Sequence, residues 1–217
     1  MGLISVADAA SQLGVSPRRV RAMLASQDIS GERIGTQWMV ESASLPSFGR
    51  RAGQPFSPRV AWAFIAVAEG KTPDWVSPSE LSRLRSRWRK LRDSPDPLPV
   101  IRSSLARRAV RSRLSGPEPS RVGGDPRVIA TGASDPRAGM STAQFAEGYV
   151  HSLDLESVKR KHLLLPAVGP ENVVLRAVDG PVPRPLPWLA VVADLSEGGA
   201  REAQQALVLF RKQVGDG

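Results

Sequence analysis

Residues 4–40, ISVADAASQLGVSPRRVRAMLASQDISGERIGTQWMV, leave this chain little freedom, because they carry two helix starts a few residues apart. Ser5 with Asp8 three residues on predicts a capping-box start. Val6, Ala7, Ala10 and Leu13 recur at helical spacing and form the apolar side of that helix. Gly14 can take the left-handed conformation that closes it. Ser16 then caps a second helix, with Pro17 at the first position, where its missing N–H costs nothing. Two short helices joined by a glycine-containing turn make a helix-turn-helix.

At 100° per residue, Val20, Met23 and Leu24 form the inner side of the second helix. Arg18, Arg21, Ala22 and Ala25 fall opposite, with Arg19 on the flank. Arginines set among small residues at a helix start suit a major groove, where a guanidinium can fork onto guanine O6 and N7. Glu32-Arg33-Ile34 and Trp38-Met39-Val40 predict a hairpin around a three-residue loop, Gly35-Thr36-Gln37. That register puts Ile34, Trp38 and Val40 on one face as a lid over the helices. Arg33, Gln37 and Met39 face outward, with Thr36 at the tip, as a wing able to touch phosphate or the minor groove. The alanine-rich first helix, the run Gly14-Val15-Ser16 followed by Arg18 and Val20, and Gly35 three residues before Trp38 resemble the winged helices of excisionase-type and MerR-like proteins. The resemblance covers about the first 45 residues.

Two domains or more fit 217 residues. The net charge is +9 and uneven: residues 1–116 hold 19 Lys/Arg against 9 Asp/Glu, residues 117–217 hold 11 against 12. This asymmetry points to a polyanion-binding half and a second half with another task. Residues 41–54 read as a linker, in which Arg50 and Arg51 form a basic arm or a solvated tether. Residues 57–70 predict a largely buried helix. Ser77-Pro78-Ser79-Glu80 is a capping box that opens a helix with a Leu81, Leu84, Trp88, Leu91 stripe. Its remaining surface carries Arg83, Arg85, Arg87, Arg89, Lys90 and Arg92, six like charges that repel one another. A polyanion or acidic groups elsewhere in the protein would relieve them; Arg83, Arg87 and Lys90 are the candidate phosphate contacts. Residues 100–114 predict another basic helix with Ile101, Leu105 and Ala109 inside, and 115–125 a linker and domain border.

The second half alternates short strands (127–130, 147–152, 172–178, 188–193) with helices at 153–164 and 199–214, which predicts a small α/β domain. The expected architecture is therefore α+β: a winged helix-turn-helix over 1–48, a basic helical region over 55–115 and an α/β domain over 125–217. The run 125–134, DPRVIATGAS, the later NVVLR at 172–176, and Asp194-Leu195 before a final helix resemble antitoxins of the abortive-infection, AbiEi-like, type. That resemblance implies a protein that neutralises a cognate nucleotidyltransferase toxin and represses its own operon. The chain departs from the family pattern at residues 134–138.

No catalytic constellation stands out. His151 and His162 lack a carboxylate at ligand spacing and read as surface or interface residues, no phosphate-loop pattern occurs, and Asp125, Asp135, Asp154 and Asp179 are spaced like turn and cap residues. The expectation is a non-enzyme with no cofactor and no metal. Zero cysteines fit a reducing compartment, and the longest apolar run, residues 61–68, is far short of the ~20 needed to span a bilayer, so a cytoplasmic protein is expected. Its partners would be double-stranded DNA, a toxin bound by the C-terminal part, and a second copy as a homodimer. The alternative is an excisionase-like or architectural DNA-binding factor of a mobile element.

Overall fold

The computed structural model describes residues 3–13, 15–26, 29–44, 54–140 and 143–215. It has a mixed α and β architecture, and the chain divides into two compact units, Met1–Gly53 and Gln54–Gly217.

The N-terminal unit contains β1 (Leu3–Ser5), α1 (Val6–Leu13), α2 (Pro17–Ala25), β2 (Gly31–Ile34) and β3 (Gln37–Glu41). The strands form an antiparallel sheet in the order β1-β3-β2, with Ile4 opposite Val40. Ser5 ends a strand that the sequence pattern did not reveal, and its hydroxyl still caps α1: Oγ accepts the Asp8 N–H at 3.1 Å and donates to Asp8 Oδ2 at 2.7 Å. The inner face of α1 is Val6, Ala9, Ala10 and Leu13. Ala7, expected inside, is exposed because it lies about 100° round the helix from Val6. Gly14 lies outside the described residues.

The hairpin differs from expectation by one residue. Ile34 opposes Gln37, so the turn is Gly35-Thr36 alone, with Gly35 at φ 62°. The shorter loop changes the register, and a register change moves side chains to the other face. Arg33 opposes Trp38 and shares a face with Val40, whereas Ile34, Gln37 and Met39 share the other. Of the expected lid only Val40 is buried; Ile34 and Trp38 are 54% and 40% exposed. Ile29, with Ile4 beside it, completes the small core instead. Gly31 is required where β2 crosses the helix pair, since a Cβ there would stand 2.3 Å from the Met39 carbonyl oxygen.

The second unit begins with α3 (Pro58–Ala68), α4 (Pro78–Arg92) and α5 (Leu98–Ser104). It continues through β4 (Val110–Ser115), α6 (Pro119–Gly123), β5 (Ile129–Ala130), β6 (Ala146–His151), α7 (Ser152–Lys161), β7 (Leu165–Pro166) and β8 (Val173–Val178). It ends with α8 (Trp188–Ser196) and α9 (Ala200–Gly215). The sheet runs β5-β6-β8-β4-β7, with β6 and β8 parallel and the other pairs antiparallel. Three expectations fail here. The helix expected over 100–114 stops early, and Val110–Ser115 becomes a strand inside the sheet; its Val-Arg-Ser-Arg-Leu alternation has the period of two that the 101-105-109 spacing obscured. The strand expected over 188–193 is helix α8, buried at every position and so without the polar face that betrays a helix. The border expected at 115–125 falls inside this unit, where Val122 of α6 is fully buried. The basic middle and the α/β part therefore share one core, built around α8 and an aromatic cluster of Trp88, Trp188 and Phe210 with ring centroids 5.8–6.2 Å apart. No helix among the described residues is long and apolar enough to cross a membrane.

Candidate nucleic-acid interface

The local sequence sets the face that α2 presents. Ser16 Oγ accepts the Arg19 N–H at 3.3 Å, Pro17 opens the helix, and Val20, Met23 and Leu24 are buried as the spacing predicts. Arg18, Arg19, Arg21, Ala22 and Ala25 are all exposed. At the hairpin tip Arg33, Thr36 and Gln37 are exposed as well, Arg33 beside the exposed Trp38. Among the described residues none of these four guanidinium groups is paired with a carboxylate. Within its own unit the structure thus gathers Arg18, Arg19 and Arg21 on one helix and Arg33, Thr36 and Gln37 on one hairpin. Arg50 and Arg51 lie outside the described residues.

Arg83, Arg87 and Lys90 belong to the other unit. The capping box of α4 is complete: Ser77 Oγ accepts the Glu80 N–H at 3.2 Å and Glu80 Oε2 accepts the Ser77 N–H at 3.0 Å. Arg59 donates to Glu80 Oε1 at 2.6 Å, and that bond, with the Ser77 amide, holds the Glu80 carboxyl down to about 2. Arg83, Arg87 and Lys90 recur at i, i+4 and i+7 along one exposed side, and Arg85, Arg89 and Arg92 along the other. Arg83 Nε donates to the Ser79 carbonyl at 3.2 Å, Arg85 to Thr72 Oγ1 at 3.0 Å, and the Arg87 guanidinium lies 5.0 Å from the centre of the Phe56 ring. Among the described residues Arg92 alone of the six has a carboxylate partner, its neighbour Asp93 at 3.0 Å. The acidic groups of this unit do not quench the row.

Sequence reasoning missed a buried ion network between the sheet and α8. Arg108 donates to Asp194, to Glu197 Oε1 at 2.7 Å, to the Tyr149 hydroxyl at 2.8 Å and to the Leu105 carbonyl at 2.8 Å. Arg176 reaches Glu147 Oε1 at 2.7 Å, Asp194 Oδ1 at 2.9 Å and Glu197 Oε2 at 2.9 Å. Thr131 donates its hydroxyl proton to the other oxygen of Asp194. Burial pushes the Arg108 pKa down, but Asp194, Tyr149 and Glu197 outweigh it and hold the guanidinium charged. Burial and the neighbouring Asp194 push the Glu147 carboxyl up to about 7 against the pull of Arg176. With Glu147 protonated, two guanidinium groups face two carboxylates and the network is neutral. Its sequence signal was faint: Arg176 and Asp194 are charged residues inside otherwise apolar runs, VVLRAV and WLAVVADLS.

The histidines flank α7. His151 Nδ1 accepts the Leu153 N–H at 3.2 Å as an N-terminal cap, and His162, expected at the surface or an interface, is half-buried at the other end with Nε2 2.9 Å from Asp125 Oδ2. No protein-family model, curated protein or solved structure matches this chain.

Proposed function

We propose that this protein is a sequence-specific DNA-binding regulator whose N-terminal unit works as a winged helix-turn-helix. The observation that carries the reading is the exposed, carboxylate-free trio Arg18, Arg19 and Arg21 at the capped start of α2, with Ala22 and Ala25 beside it. In this reading α2 enters the major groove of double-stranded DNA, where guanidinium forks read guanine and the alanines allow close approach. Arg33, Thr36 and Gln37 at the hairpin tip contact the backbone or the minor groove. Arg83, Arg87 and Lys90 supply a phosphate-binding row on α4. The AbiEi-like resemblance extends the proposal: an antitoxin of the cytoplasm that represses its own operon and holds a nucleotidyltransferase toxin through its C-terminal unit. The excisionase resemblance supports the alternative, a factor that bends DNA without repressing a gene.

The test is fluorescence anisotropy with labelled duplex from upstream of the protein's own gene and a scrambled duplex. The expected result is preferential binding of the first, with affinity falling about 10²-fold or more between 50 and 200 mM salt. Arg18→Ala with Arg21→Ala should bring both duplexes to the same weak affinity. Binding indifferent to salt, or preference surviving the double substitution, sinks the reading.

A further inference from the structure

The C-terminal unit contains a cavity of about 800 Å³ that no step of DNA recognition uses. Its floor is one face of α3, formed by Pro58, Arg59, Trp62, Ile65 and Ala66, which recur at i, i+1, i+4, i+7 and i+8. Trp62 is fixed there: its Nε1–H donates to the Arg108 carbonyl at 3.0 Å and its ring meets Tyr149 edge-on at 5.7 Å. One side is the β4–β8 ladder at the cross-strand pair Val110–Ala177, where Val110 is 70% exposed. Pro181, Pro183 and Pro187 also line it, and so does the half-exposed Trp75. The lining is therefore mostly apolar and of the size that encloses a small organic molecule.

The charges at the cavity select its occupant. Arg59 and Lys71 line it but already pair with Glu80 and Glu69. Arg107 lines it, is exposed, and has no carboxylate partner among the described residues. Asp179 is the one carboxylate in the lining. Arg108 turns its guanidinium away into the buried network. Counted together, three cationic side chains in the lining, Arg59, Lys71 and Arg107, stand against that one carboxylate, and this excess favours an anion.

We infer that this cavity binds a small molecule with a flat or chain-like apolar body and a single carboxylate, the body lying on Trp62 and Val110 and the carboxylate meeting Arg107 at the rim. An aromatic or medium-chain aliphatic acid meets that description. The site makes no use of DNA, so it stands or falls apart from the DNA-binding reading.

The experiment is isothermal titration calorimetry of the full chain with 2-naphthoate, 2-naphthalenemethanol and 2-naphthylmethylammonium. The expected order is naphthoate tightest, the alcohol about 5- to 10-fold weaker and the cation weakest. Arg107→Ala abolishes the preference for the acid and leaves the alcohol unchanged, and Asp179→Asn tightens naphthoate. Ala66→Phe, which fills the cavity from its half-buried floor, abolishes binding of all three. Should that variant fail to fold, Trp75→Ala serves instead, with a several-fold loss. Equal affinity for the acid and the cation, or naphthoate binding unmoved by both Ala66→Phe and Trp75→Ala, overturns the inference. So does a dimer in sedimentation velocity that Ala66→Phe splits and naphthoate does not, because the face would then belong to a second copy of the chain.

Discussion

Glu147 shares Arg176 with Asp194 and Glu197, and the three carboxylates outnumber the two arginines that hold them. Burial first, and Asp194 second, raise its carboxyl from 4.5 to about 7. A folded-state pKa above the unfolded value means that the folded protein holds a proton the unfolded chain has released. The stability this contributes is fully present below about pH 4.5 and is lost as pH rises through 7. Other carboxylates such as Glu197 and Glu171 are held below their ordinary range and slope the opposite way, so the clean observable is a difference. Glu147→Gln cannot ionise. Its stability relative to the parent protein should therefore rise by up to about 3 kcal/mol between pH 4.5 and 7.5, since each tenfold gain in proton affinity on folding is worth about 1.4 kcal/mol. Urea titrations of both proteins across that range check it; a flat difference contradicts the buried proton. Gly31 makes a second prediction at this scale. An added Cβ would meet the Met39 carbonyl oxygen at 2.3 Å and Leu24 Cδ2 at 2.7 Å. Backbone cannot retreat as a side chain can, so Gly31→Ala should cost the N-terminal unit about 1–3 kcal/mol. Hydrogen exchange of amides in residues 3–41 should accelerate accordingly, while amides of α8 keep their protection.

Elements were legible where a local rule operates and illegible where burial erases the pattern. Ser16-Pro17 and Ser77-Pro78-Ser79-Glu80 announced α2 and α4 because a cap is written in adjacent residues, and the hydrogen bonds of both caps are present. Asp125-Pro126-Arg127 and Asp135-Pro136-Arg137 are local too. In each, the aspartate accepts the backbone N–H and the Nε–H of the arginine two residues on. Helix α8 was not readable as a helix, since nine consecutive buried residues carry no face. The hairpin loop was misjudged by one residue because a two-residue and a three-residue turn are both compatible with Gly35, and the cross-strand partner that decides is not local. For the site, exposure of the α2 arginines followed from helical periodicity, whereas the Arg108–Asp194–Arg176 network joins residues 86 and 18 positions apart and left little trace in the sequence. The cap on α4 gives this scale its own test. Ser77→Ala removes the acceptor for the Glu80 amide and should cost about 1 kcal/mol in chemical denaturation. Asn at the same position should restore most of it.

Across the whole chain, positive charge is shared out differently from what the half-and-half sequence count suggests. Residues 1–53 hold six Lys/Arg against four Asp/Glu, and residues 54–217 hold 24 against 17, so most of the +9 excess lies in the larger unit. Electrostatics and base reading therefore need not reside in the same residues. Phosphate contacts set affinity and its salt dependence, while contacts to base edges set sequence preference. If the α2 arginines read bases and the α4 row tracks phosphate, the two should separate on substitution. Arg83→Gln, Arg87→Gln and Lys90→Gln together remove three cations without breaking an ion pair among the described residues. The slope of log affinity against log salt should fall by about 2 to 3, at roughly 0.9 per contact, with the ratio between cognate and scrambled duplex unchanged. Arg18→Ala with Arg21→Ala should do the reverse, collapsing the ratio while reducing the slope by less than about 2. A triple variant that keeps the parental salt slope would make α4 a solvated face whose charge serves something other than nucleic acid. A triple variant that loses sequence preference as well would place base reading on α4, and the assignment of α2 to the major groove would have to be abandoned.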